Sequence, residues 1–202
     1  MSRGGDVDKS KRATLRRFAA LGAATPLVSV ASASESDAHD AIAGYVTATP
    51  GAHFSKIRDD LQLGTGETQH HLRQLENEDV LESYKDGDYR RYFQANRFSQ
   101  FEQATLSYLR RETPRGMLIT LLEQPDISAG ELAESLDVSG PTISKYAAQL
   151  EDVGLLERTD SYTVTNPETV LLLLVRYADS FGEDAAKLAD MAPRLVKYTN
   201  ER

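Results

Sequence analysis

Two short runs in this chain of 202 residues carry side chains whose types and spacing suit close polar recognition. In LQLGTGETQHHLRQLENEDVLES, residues 61–83, Thr68, Leu72 and Leu75 recur at the spacing of one buried helical face, which leaves Thr65, Gln69, His70 and Arg73 facing outward. In LDVSGPTISKYAAQLEDVGLLER, residues 136–158, Ile143, Ala147 and Leu150 face inward and Thr142, Ser144 and Lys145 face out. Such groups can read nucleic acid: an amide suits an adenine edge, a guanidinium a guanine or a phosphate, and small hydroxyls with one lysine fit against a groove wall. Glu67 argues the other way, because a carboxylate in the first turn favours the helix dipole but repels phosphate unless it meets a cytosine amino group.

Other chemistries find little support. The chain has no cysteine, so neither a disulfide nor a thiolate metal site is possible. His70 and His71, with His39 and His53, invite a metal, but adjacent helical residues point in different directions and no HExxH spacing occurs. There is no Gly-rich phosphate loop and no Ser-His-Asp arrangement, so an enzyme, a metal and a cofactor are not expected.

The two runs belong to a repeat. At an offset of 75, Pro50 falls on Pro125, Leu61 on Leu136, Gln74 on Gln149, Leu75 on Leu150, Glu76 on Glu151 and Leu81 on Leu156. The offset then drops to 70, where Tyr92 meets Tyr162 and Asn96 meets Asn166, as though the second copy had lost five residues from a loop. In the first copy, helical stripes at Ala41, Ile42, Tyr45 and Val46 and at Phe54, Ile57 and Leu61 precede the reading helix. Leu63 closes one helix, and Gly64, Thr65 and Gly66 are expected to turn the chain. The period then changes to two, over 81–84 and 89–95, around Lys85, Asp86, Gly87 and Asp88, which signals a hairpin. This wing carries Lys85 at its tip and Arg90 and Arg91 on its return strand, groups that suit phosphate, although hairpin tips are commonly charged for solvation alone.

Residues 97–112 are expected to form a connector helix, and Thr113 followed by Pro114 to start the next helix with a cap and a first-turn proline. Arg110, Arg111 and Arg115 gather at this junction and are candidate phosphate contacts, with neutralisation of Glu112 as the alternative. Ser128 and Glu131 make a capping box, Ser139, Gly140 and Pro141 a turn, and the second wing, 156–165, holds only Arg158. Residues 168–181 are apolar around most of their circumference and Gly182 breaks them, after which Leu188, Met191, Leu195 and Val196 form a further stripe.

On these turns and periods the chain resembles tandem winged-helix transcription regulators of archaea, loosely similar to the MarR and ArsR groups. The resemblance covers about 37–166. It implies a mainly α fold with small β hairpins, in which two tandem winged-helix domains, 37–96 and 113–166, are joined by the connector 97–112 and followed by C-terminal helices, 167–202. It also implies a DNA-binding transcriptional regulator that acts on double-stranded DNA, is a homodimer through its terminal helices and meets the transcription machinery. The rival is a tandem winged-helix scaffold that binds proteins, of the chromosome-segregation or transcription-initiation type. The net charge of −8 supports that rival. Arg outnumbers Lys 16 to 7 and acidic residues run through every helix, as in proteins of salt-loving archaea. In molar salt the Debye length falls to about 3 Å, so only close contacts count.

Residues 1–36 differ in kind: six Lys and Arg against three acids give +3, which leaves −11 on the rest. Arg16 and Arg17 precede a small apolar run ending in Ala31, Ser32 and Ala33, which imitates a twin-arginine export signal. Pro26 interrupts that run, and it is shorter than the roughly 20 residues that span a bilayer. A basic tail on a cytoplasmic protein is expected, with no integral membrane span. Export or membrane association through residues 1–33 is the alternative.

Overall fold

The computed structural model describes the backbone of residues 35–199 and the side chains of residues 37–192, together with Phe18. The signal-like reading of residues 1–33 lies otherwise outside the described residues. Among the described residues, those up to Phe98 form one compact unit and those from Ser99 a second.

In the first unit α1 (Glu35–Ala48) buries Ala38, Ala41, Ile42, Tyr45 and Val46, the face its period predicts. Gly51, at φ 80, turns the chain into β1 (Ala52–His53). The His53 side chain then caps α2 (Phe54–Asp60), its Nδ1 accepting from the Lys56 amide at 3.3 Å. Gln62 takes the left-handed conformation, φ 55, and redirects the chain into α3 (Thr65–Asn77). The turn comes earlier than the glycines suggest: the Glu67 carboxylate accepts from the Gly64 amide at 3.1 Å, so Gly64 is the N-cap and Thr65 and Gly66 are already helical. A second left-handed residue, Asp79, leads into the hairpin β2 (Leu81–Asp86) and β3 (Tyr89–Gln94). The first strand therefore runs to Asp86, and only Gly87 and Asp88 turn it. Strand order is β1-β3-β2, all antiparallel. Beneath lie Ile42, Val46, Ile57, Leu61, Leu72 and Leu75, each at most 1% exposed and each stabilising the unit by about 1.5–3 kcal/mol.

The second unit opens with α4 (Gln100–Leu109), capped by Ser99, whose amide donates to the Glu102 carboxylate at 2.8 Å. This helix lies within the stretch 97–112 expected as a connector. Its residues from Gln103 to Leu109 are all buried, and it packs against α8 (Pro167–Arg176) within the second unit. Helix α5 (Glu112–Glu123) starts one residue ahead of Thr113; Arg111 is its N-cap and no side chain supplies the cap, so the expected threonine cap is not formed. The capping box of Ser128 and Glu131 opens α6 (Ala129–Ser135) as expected. Ser139 caps α7 (Gly140–Asp152), its Oγ accepting from the Thr142 amide at 3.3 Å. Strands β4 (Leu156–Arg158) and β5 (Tyr162–Val164) pair as a short wing. The apolar run after it is divided into α8 and α9 (Ala178–Phe181), with Gly182 at φ 139 before α10 (Glu183–Thr199).

The repeat is real at the level of backbone. Helices α2 and α6, and α3 and α7, begin and end at an offset of 75, and so do the ends of α1 and α5. The left-handed residues repeat as well: Gln62 with Asp137, Asp79 with Gly154, and, at an offset of 70, Asn96 with Asn166. Only a few non-glycine residues adopt positive φ without strain, so this matched set marks the same three corners in each copy.

Candidate nucleic-acid interface

Each unit holds one helix, α3 or α7, packed on its own core along one face. Thr68, His71, Leu72 and Leu75 are buried on α3, and Ile143, Ala147 and Leu150 on α7. The opposite face of α3 presents Thr65, Gln69, His70 and Arg73, all exposed. That of α7 presents Ser144 and Lys145, both exposed, with the Lys145 ammonium 5.7 Å from the centre of the Tyr146 ring. Thr142 is half-buried and its hydroxyl shares a hydrogen bond of 2.8 Å with Ser139, so it is partly committed to the cap. The first turns differ in charge. Glu67 spends its carboxylate on the Gly64 amide, whereas α7 has no acid in its first turn.

A family model described as an N-terminal HTH domain matches residues 36–106, and a MarR family model matches residues 115–164. The chain carries two domains of helix-turn-helix, winged-helix type, the second similar to the MarR family. An uncharacterized HTH-type transcriptional regulator of Methanocaldococcus jannaschii is 26% identical over 121 residues, which are 60% of this chain and 30% of that protein. The chain thus matches less than a third of the length of this relative. No solved structure matches.

In the two units the expected cationic contacts divide into three groups. Lys85 is exposed on the first wing. Arg90 and Arg158 are exposed but tied to the reading helices: Arg90 Nη2 donates to Glu76 at 2.7 Å and Arg158 Nε to Glu151 at 2.6 Å. The hydrogen bond to Glu151 raises the pKa of Arg158 above its ordinary value.

The remaining four cations are buried or half-buried and are engaged within the protein, where the sequence suggested phosphate contacts. Arg91 is 3% exposed and donates to Asp86 at 2.5 Å and to the Gly51 carbonyl at 3.0 Å. Arg115, 9% exposed, donates to Asp184 at 2.7 Å and to the Leu109 carbonyl at 3.2 Å. Arg110 donates to the Ser180 carbonyl at 2.6 Å and lies 4.4 Å over the Phe181 ring. Arg111, half-buried, lies 4.8 Å over the Tyr108 ring. Within the cluster at 110–115, Arg110 and Arg115 thus tie the α4–α5 junction to the corner between α9 and α10. Their partners lie 70 and 69 residues away in sequence, out of reach of any local reading.

His39 Nε2 lies 3.1 Å from Glu78, and the rings of His39 and His70 each flank His71, at 6.1 and 5.2 Å. No group of three or more metal-ligating side chains that could hold an ion occurs among the described residues. Sequence reasoning missed Glu76, Glu151 and Ser83, whose part emerges only when helix and wing are seen together.

Proposed function

We propose that the chain is a DNA-binding transcriptional regulator that places α3 and α7 in major grooves of double-stranded DNA. The observation that carries this reading is the two-faced packing of both helices, each buried on its unit's core and open on a face of amide, hydroxyl and cationic groups. Gln69 reads a base edge, Arg73 a guanine or a phosphate, Thr65 and His70 support them, and Ser144 and Lys145 line the groove in the second copy. Thr142 contributes through the hydroxyl it shares with the cap. Lys85 meets flanking backbone. The DNA-binding domains are 37–96 and 113–166, and α4 serves the second of them.

The protein acts as a homodimer through its C-terminal helices, where Leu172, Val175 and Met191 remain exposed at 63%, 37% and 39%. It works in the cytoplasm, on the chromosome, where it blocks or recruits the transcription machinery. No helix of the described residues is long and apolar enough to cross a membrane.

Titration of the full chain against DNA from upstream of its own gene, at high salt, tests the reading. Arg73→Ala and Lys145→Ala are each expected to weaken binding by about 1–3 kcal/mol, roughly five- to 150-fold. Unaltered binding in both variants sinks it.

A further inference from the structure

Glu76 and Glu151 occupy the same place, the last turn of the reading helix, in the two copies. Each binds an arginine of its own wing, yet the two arginines come from different strands: Arg90 from β3, the returning strand, and Arg158 from β4, the outgoing one. The registers show how they coincide. Ser83 stands opposite Tyr92 and Arg158 opposite Tyr162, so Ser83 is the counterpart of Arg158. Arg90 Nε donates to Ser83 Oγ at 2.8 Å, which brings its guanidinium across the hairpin to the position from which Arg158 extends. A tyrosine neighbours each arginine too: Arg90 lies 5.8 Å from the Tyr92 ring centre, and Arg158 pairs across the hairpin with Tyr162. Two different sequences thus deliver one guanidinium to one place. An ion pair this exposed adds little to global stability, so its recurrence points to geometry.

We propose that Glu76 with Arg90, and Glu151 with Arg158, are wing latches: positioning residues that fix each hairpin to the end of its reading helix and so set where the wing meets the flanking backbone. Arg90 and Arg158 are then not phosphate ligands. This rests on the DNA-binding reading above for its consequence, but the latch itself exists in the free protein.

The full chain and double-stranded DNA from upstream of its own gene supply the test. Arg90→Ser is expected to weaken binding roughly tenfold, the kind of loss that follows from misplacing a contact. The slope of log affinity against log salt stays unchanged, because no phosphate contact is lost. Glu76→Gln weakens binding in the same way. The double variant Ser83→Arg with Arg90→Ser, which copies the second wing's arrangement, regains the affinity. In the DNA-free protein, amide hydrogen exchange over residues 81–94 quickens in Arg90→Ser and slows again in the double variant. A slope that falls by about 0.9 in Arg90→Ser, with Glu76→Gln binding more tightly, makes Arg90 a phosphate contact and overturns the proposal. Exchange that Arg90→Ser leaves unaltered overturns it equally. If the unmodified chain binds no DNA, the functional reading fails while the exchange measurement still decides the latch.

Discussion

Arg91 and Asp86 form a diagonal ion pair between neighbouring strands, both under a tenth exposed. Breaking one partner of such a pair leaves a buried charge, so Arg91→Ala is expected to destabilise the first unit by roughly 3–5 kcal/mol, measured by urea unfolding, while exposed Lys145→Ala leaves that transition unmoved. Period alone could not separate the two arginines: alternation along β3 puts Arg91 on the face of Phe93 and Arg90 on that of Tyr92, and both aromatics are buried. His53 gives a second prediction at this scale. Its ring caps α2 only while Nδ1 is unprotonated, and burial, then Arg91 and Lys56, lower its pKa from the ordinary 6.5. As pH falls, the unfolded chain takes up this proton first, so the contribution of His53 is full above about pH 6.5 and is lost as pH drops towards the folded-state pKa. His53→Asn keeps an acceptor at the cap and removes that dependence, which urea unfolding at a series of pH values between 7.5 and 5 will show.

Caps and corners, more than helix propensity, fix the ends of these elements. Ser139 is the cap from which α7 starts, and Ser139→Ala is expected to cost the second unit about 0.5–2 kcal/mol in thermal or urea unfolding. At the exposed counterpart on α6, hydrogen bonds from Ser128 lower the pKa of Glu131. Much at this scale could be read in advance, because buried stripes in α1, α3 and α7 recur at helical spacing and the 75-residue offset predicted matching helices. What could not be read is short or distant. Strand β1 is two residues long, too brief for a period, and exists because β3 offers it an edge at Tyr92 and Arg91. The contacts of Arg110 and Arg115 beside the start of α5 could not be read either, because their partners lie far along the chain.

For the molecule, the open question is what covers the apolar residues that the second unit leaves outside. Leu172 is 63% exposed in the middle of α8, and Leu172→Glu is expected to shift the chain from dimer to monomer in light scattering across a range of concentrations, without loss of helix content. A chain that stays monomeric at every concentration before substitution removes that role from the terminal helices. The acidic body sharpens the demand on each remaining cation, since Arg73, Lys85 and Lys145 are the exposed members of the expected set outside the two wing arginines. The two hairpins, finally, are of unequal length: six residues in each strand of the first and three in each of the second, about 20 Å against 10 Å. On the DNA-binding reading proposed above, the first wing has about twice the reach of the second along flanking backbone, so the two copies are not interchangeable.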